Sequence, residues 1–275
     1  MMSVSCFVPC YNNRNTIAVV IDSLNNQCVD AGKVMVIDDG STDASAQIAR
    51  SLDANAISHA SNAGRGAIRA EGIDSCTTDL LLSCDATNRL DSSFLASAVP
   101  WFNESTVAAV FGRLIDPSPS GVSGRWRARH LLLQRGDAKS SEYSSLATGA
   151  YVARVSFIRD VGNFRRDLRH SEDVELGDRL LKAGYKVVFE PKCIAHPLVR
   201  NTIAQCLERH WRWYVARNGR MTLTDLRRWA GLAWRSMLVE DIRAKDPAAA
   251  VISLILPFHH WWRSQREKSN RKIHT

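Results

Sequence analysis

The chain has 275 residues, enough for one large α/β domain with a sizeable core, and its 45% hydrophobic and 23% charged content exclude wholesale disorder. Seven cysteines with no CxxC pair and no metal-ligand spacing exclude a disulfide framework and point to reduced thiols in a cytosolic compartment. The net charge of +8 is uneven: residues 200–275 hold 15 Lys+Arg against 6 Asp+Glu and six of the eight tryptophans, while the remainder holds 21 against 22.

The opening MMSVSCFVP has neither a basic n-region nor a long apolar stretch, so no signal peptide is expected. Residues 4–9 form a short apolar run of the kind found in central parallel strands. Asn15 and Thr16 are expected to cap a helix with Ile17, Val20, Ile21, Leu24 and Cys28 on one face. A second buried strand, residues 34–38, ends in carboxylates, and Ser41 is expected to cap a helix running to about Leu52. A weaker strand at 56–59, a helix near 67–75 and a strand at 80–84 continue the βαβαβ rhythm. That rhythm predicts a parallel sheet with right-handed crossovers, in which ligands bind at the carboxyl ends of the strands. Asp38, Asp39 and Asp85 occupy those ends.

Further on, residues 107–114 read as a strand and 116–124 (DPSPSGVSG) as a turn-rich loop. A helix is expected from Trp126 to about Gln134. Residues 146–152 precede a helix or turn ending near Gly162. Ser171 is expected to cap a helix through Ala183, and residues 186–190 form a last strand. From Ile203 the pattern is helical and basic. The domains are drawn accordingly as residues 1–200 and a basic, Trp-rich helical segment, 201–275.

Four constellations carry chemistry. VIDDGSTD (36–43) places paired carboxylates at a strand end, suited to hold a base or ribose or simply to cap the next helix. NAGRGAIRAEG (62–72) has two glycines for a tight turn into a helix and, in Arg65, a cation able to reach a diphosphate. LLLSCDATNRLD (80–91) ends an apolar strand in a single carboxylate, Asp85, whose burial requires a cation or hydroxyl donors. In HSEDVELGDRLLKAGYKVVFEP (170–191), Glu172 and Asp173 fall in the first turn of a helix, where the dipole favours their ionised forms. A carboxylate so placed at a cleft can act as general base toward an alcohol.

The order and spacing of these stretches, with SVSCFVPCYNN (3–13) before them and TGAYVARVSFIRDVGNF (148–164) between, resemble the family 2 glycosyltransferases of the GT-A type over residues 3–220. The resemblance implies an α/β GT-A nucleotide-diphospho-sugar transferase fold: a mostly parallel central sheet flanked by helices, with a helical C-terminal segment. It implies transfer of a sugar from a nucleotide-sugar donor to a hydroxyl acceptor with inversion, in surface polysaccharide or glycolipid synthesis. By similarity, Pro9, Tyr11 and Asn12 line the base pocket, Asp38 and Asp39 hold the base or ribose, and Arg65 lies near the diphosphate. Asp173 is the expected general base, with Glu172 beside it.

The family's metal motif is D-x-D, and here Asp85 aligns with its first position and Thr87 with its second, so a Mg²⁺ or Mn²⁺ site would draw on Asp85, Thr87 or Asn88, and His196. Alternatively, Arg65, Arg165 or Arg166 could stand in for the ion, or the chain could be a catalytically degenerate member that binds sugar nucleotides or acts as a scaffold.

Within residues 203–217, Arg209, Trp211 and Arg212 are expected either to line the donor cleft or to lie on an amphipathic helix packing on the catalytic domain. The apolar run 248–256 is nine residues long before Pro257, too short for a bilayer span of about 20 residues. With HHWWRSQREK after it, an interfacial helix resting on an anionic membrane is expected, on the inner face of the cell membrane, where a saccharide or lipid-linked acceptor would be met. The basic charge is confined to this end and no nucleic-acid recognition motif accompanies it, so a nucleic-acid partner is not expected.

Overall fold

The computed structural model describes residues 2–27, 32–132, 139–218 and 221–271, with backbone alone for 214–218 and 267–271. Cys28 and Gln134, named above as helix residues, lie outside the described residues. The chain divides into two compact units, Met1–Ile115 with Gly136–Val199 and Asp116–Arg135 with Arg200–Thr275. The second unit thus includes a stretch that precedes the boundary drawn at residue 200.

The first unit is built on an eight-stranded sheet: β1 (Val4–Cys10), β2 (Met35–Asp38), β3 (Asn55–Ser58), β4 (Leu80–Cys84), β5 (Asn88–Leu90), β6 (Val107–Leu114), β7 (Ala150–Arg154) and β8 (Lys186–Pro197). Their order across the sheet is β3-β2-β1-β4-β7-β6-β8-β5. The β3, β2, β1 and β4 neighbours are parallel, as is β6 with β8, while β7 runs antiparallel to β4 and β6, and β5 antiparallel to β8.

Side-chain alternation along β1 explains why both faces are covered. Val4, Cys6 and Val8 pack with Ile17, Val20, Ile21 and Leu24 of α1 (Ile17–Asn25) on one face. Phe7 points to the other, where Ile68 and Ile73 of α3 (Arg65–Asp74) and Leu176 and Leu180 of α7 (Glu172–Lys182) enclose it. Between these helices in the chain come α2 (Ser45–Ser51), α4 (Phe94–Ala98), α5 (Gly121–His130) and α6 (Val155–Asp160).

Several expectations are corrected. The last strand does not stop at Glu190 but continues to Pro197, so His196 lies within β8 rather than after it. The extension is held by pairing with β5 and by a second register with β6, shifted between Phe111 and Arg113. At that shift a Cβ on Gly112 would sit 1.8 Å from the Cys193 carbonyl oxygen, so only glycine permits the strands to approach this closely. The turn-rich stretch 116–124 gives way to helix at Gly121. The hydroxyls expected as helix caps bond elsewhere: Thr16 Oγ1 donates to the Ala86 carbonyl (2.6 Å), Ser41 Oγ to Asp38, and Ser171 makes no side-chain cap.

In the second unit, α5 is grouped with α8 (Ile203–Asn218), α9 (Leu223–Ala233), α10 (Val239–Arg243) and α11 (Pro247–Arg271). Its core gathers Trp126, Cys206, Leu207, Ala233, Met237, Ala249, Ile252 and Leu256. Two buried carboxylates brace it. Asp241 accepts from Arg129 Nε (2.8 Å), His130 Nε2 (2.9 Å) and Ser253 Oγ (2.5 Å), and Asp246 accepts from Arg125 and Arg129. Pro257 lies inside the 25-residue α11, so the helix continues past the apolar run. Among the described residues, no helix is long and apolar enough to cross a membrane.

Candidate active site

The ends of β1 and β2 are tied together by short polar links. Asn12, at φ 53°, receives the Thr42 N–H on its Oδ1 (2.9 Å) and donates its own N–H to Ser41 Oγ (2.8 Å). Pro9 is half-buried on β1, and Tyr11 and Asn12 follow it exposed. Asp38 accepts the Ser41 hydroxyl and is almost fully buried. Asp39 accepts the backbone N–H groups of Ala63 (2.6 Å) and Gly64 (3.0 Å), one on each oxygen. Its carboxylate therefore fixes the entry to α3 at the strand ends.

That entry is further clamped by the segment before α7. Gly66 donates its N–H to the Leu168 carbonyl (3.0 Å), and a Cβ at Gly66 would lie 2.1 Å from the Arg165 carbonyl oxygen. Arg169 donates to Asn62 Oδ1 (3.0 Å) and to the Asn62 carbonyl (3.2 Å). Arg65, the first residue of α3, is left exposed.

One turn further along α3, Arg69 is 2% exposed and joins the carboxylates of the site. Its Nη2 meets Asp85 Oδ1 at 2.6 Å, its Nη1 ion-pairs with Glu172, and Nη2 also reaches the Thr148 carbonyl (3.4 Å). Burial alone would loosen the guanidinium's proton, but Asp85 and then Glu172 overcome that and hold its pKa above the ordinary value. Burial pushes the Glu172 carboxyl above its usual range, opposed chiefly by Arg69. The charge of Glu172 is thus committed to an internal ion pair, and its side chain is 2% exposed.

Asp173 differs from its neighbour. It is half-buried and has no ion-pair partner among the described residues; its Oδ1 accepts the N–H of Val174 (2.9 Å) and its Oδ2 a long 3.4 Å contact from the Thr148 hydroxyl. Of the two carboxylates at the start of α7, it is the one with capacity to accept a proton from a ligand.

Beyond Asp85 the chain turns, with the Asn88 N–H donating to the Asp85 carbonyl (2.9 Å). Asn88 is buried and donates its amide Nδ2 to the Gly149 carbonyl (2.9 Å). His196, opposite Arg89 in the β5–β8 pairing, is bonded through Nδ1 to the Ile115 carbonyl (2.9 Å), with Nε2 3.9 Å from Asp91. Among the described residues no three His, Cys, Asp or Glu side chains form a group able to hold a metal ion. Hard divalent ions take six or more oxygen ligands, carboxylates prominent among them. Here the one aligned carboxylate is shared with Arg69 and Thr87 offers a neutral hydroxyl, so the residues present do not fit a divalent ion.

The remaining expected ligands belong to the second unit. Trp211 is 1% exposed, its ring edge-on to His260 with centroids 5.5 Å apart, so it is core packing rather than an open ligand surface. Arg209 lies over the Trp213 ring at 6.0 Å, and Arg212 pairs with Glu208 one turn away (3.6 Å). Arg69 and Thr148 were not singled out from sequence. The signal was an arginine beside Ile68, Ala70, Gly72 and Ile73, a largely apolar setting in which a cation needs acidic partners.

The fold and the strand-end site define a GT-A glycosyltransferase fold. Residues 5–163 match the model of the family described as "Glycosyl transferase family 2", and the chain belongs to that family. It is 30% identical over 203 residues to a pre-mycofactocin glycosyltransferase of Mycobacterium tuberculosis, covering 70% of this chain and 42% of the relative. It is 24% identical over 209 residues to the O-antigen chain rhamnosyltransferase RfbN of Salmonella typhimurium, covering 68% of this chain and 64% of that one. The chain therefore spans less than two thirds of each relative's length. In fold it is similar to the mannosyltransferase PcManGT from Pyrobaculum calidifontis, solved with GDP-Man and Mn²⁺ (TM-score 0.63, 19% identity, 96% of this chain and 84% of that one). It is also similar to residues 1–349 of TarS from S. aureus (TM-score 0.57, 17% identity, 92% and 91%).

Proposed function

We propose that this protein moves a sugar from a nucleotide-sugar donor to a hydroxyl of a saccharide or lipid-linked acceptor, with inversion at the anomeric carbon. The observation that carries this is the contrast at the start of α7: Glu172 is locked to Arg69, whereas Asp173 remains half-buried and unpaired among the described residues. In this reaction the acceptor oxygen bonds to the anomeric carbon while the bond from that carbon to the diphosphate oxygen breaks. The diphosphate leaves with the electron pair and Asp173 takes the hydroxyl proton. The loops carrying Pro9, Tyr11, Asn12, Asp38 and Asp39 hold the nucleoside, and Arg65 faces the diphosphate.

Surface polysaccharide or glycolipid synthesis is the setting we infer, supported by relatives named as an O-antigen chain rhamnosyltransferase and a poly-β-1,6-N-acetyl-D-glucosamine synthase. We place the protein on the cytoplasmic face of an anionic membrane. On α11, Val251, Leu254, Ile255, Phe258 and Trp262 recur at helical spacing and are 40–56% exposed, while Ala249, Ile252, Leu256 and His260 on the other side are buried. Arg266 sits 4.2 Å from the Trp262 ring centroid, so cationic and apolar contacts are offered together, as an anionic bilayer surface requires. A non-catalytic, nucleotide-binding role is the alternative raised by Thr87 at the second motif position.

Incubation of the purified chain with UDP-, GDP- and dTDP-sugars and candidate acceptors, with the product anomer read by NMR, tests the proposal. Inversion of the donor's configuration is expected; retention, or no turnover with any donor, contradicts it.

A further inference from the structure

The carboxylate that would anchor a metal in this site is already ion-paired from within the protein, to Arg69. Arg69, buried and fixed by two carboxylates, contacts Asp85 at 2.6 Å. Around it, Thr87 supplies a neutral oxygen, and among the described residues no three His, Cys, Asp or Glu side chains come together to hold an ion. A nucleoside-diphospho-sugar still brings negative charge that grows on the leaving diphosphate as the glycosidic bond breaks. Some cation must meet it.

The arginines near the site are not equally available. Arg165 is paired with Asp167 (2.6 Å) and Arg166 with Asp74 (2.5 Å), both on the surface, and Arg169 is bonded to Asn62. Arg65 is exposed at the start of α3, one helical turn before Arg69, and makes no ion pair or side-chain hydrogen bond among the described residues. It therefore stands at the same strand-end site as Asp85 and Glu172 with its guanidinium uncommitted, and that group is suited to two-point contact with phosphate oxygens.

Resting on the donor reading above, we propose that the protein binds and uses its nucleoside-diphospho-sugar without a divalent cation. Arg65 meets the diphosphate, and Arg69 holds Asp85 in place as a fixed internal counter-charge. In the transfer step the electron pair of the broken bond settles on the β-phosphate oxygen beside Arg65, and the proton of the acceptor goes to Asp173. No metal-bound oxygen takes part.

Calorimetric titration of the full chain with UDP, GDP and dTDP, first in EDTA and then with excess Mn²⁺, tests this. At least one nucleotide is expected to bind in EDTA, with affinity changing less than about threefold on adding Mn²⁺. Replacing the exposed Arg65→Ala is expected to weaken that binding by about tenfold or more while the far-UV circular dichroism is unchanged. Binding that appears only with Mn²⁺ overturns metal independence and leaves the donor reading standing. Wild-type affinity in Arg65→Ala overturns the assignment of Arg65. No binding in either condition overturns the donor reading, and this inference with it.

Discussion

Arg69 meets Asp85 at 2.6 Å, joining the middle of α3 to the end of β4, and the same guanidinium ion-pairs with Glu172, 103 residues further along the chain. One buried cation therefore registers a strand end against the helix that carries Asp173. Breaking such a network by removing one partner leaves uncompensated buried charge. Arg69→Ala is expected to cost about 3–5 kcal/mol in urea unfolding followed by circular dichroism. Arg69→Lys, which cannot fork to two carboxylates, should recover only part of this.

Gly66 offers a steric test of the loop clamp. An added Cβ would fall 2.1 Å from the Arg165 carbonyl oxygen and 2.6 Å from that of Leu168, both backbone atoms that cannot swing aside. Gly66→Ala is expected to destabilise the protein by about 1–3 kcal/mol, seen as a lowered melting temperature. Because the clamp also positions Arg65, nucleotide affinity should fall in the same variant.

The second unit should be acid-sensitive. Hydrogen bonds from Arg125 and Arg129 hold the Asp246 carboxyl below its usual range, and at Asp241 the effect of burial is outweighed by bonds from His130 and Ser253. A carboxyl with a depressed folded-state pKa contributes stability that is present above its unfolded value, near 3.9, and is lost as pH falls below about 4. Melting temperature followed by tryptophan fluorescence should drop over that window. In Asp246→Asn the drop should be shallower, from a lower starting value at neutral pH.

The exposed stripe of α11 can be separated from its buried face. Leu254→Ser with Phe258→Ser changes two exposed side chains, at 44% and 52%, without touching Ile252 or Leu256. The expected outcome is unchanged melting and loss of sedimentation with phosphatidylglycerol-containing vesicles, whereas binding equal to the wild type would exclude this face as the membrane contact. Binding by the wild type should weaken with added salt.

Much of this fold is legible in the sequence because burial on both faces leaves unbroken apolar runs, as in residues 34–38 and 80–84, each realised as a strand. The three-residue β5 was invisible because Asn88–Leu90 carries no periodic pattern, and it exists through pairing with β8. The same pairing carried β8 past Pro191, where sequence alone suggested a stop. Helix caps failed as local signals because tertiary acceptors, such as the Ala86 carbonyl for Thr16, took the hydroxyls. At the site, the acidic residues stood out at strand and helix ends, whereas Arg69 did not, since its partners lie 16 and 103 positions away. Trp211 was open to two readings for a related reason: an aromatic beside arginines reads alike whether it faces a ligand or a core, and burial among the helices decides for packing.

In the transfer we propose, Asp173 is the base. Replacing Asp173→Asn preserves shape and removes the proton acceptor, and the long 3.4 Å contact with Thr148 is a minor loss. With the donor that the wild type uses, the variant is expected to bind the nucleotide as before while turnover falls by about 10²–10⁴-fold. Turnover within about twofold of the wild type, at equal donor affinity, would contradict the assignment of Asp173 as the base.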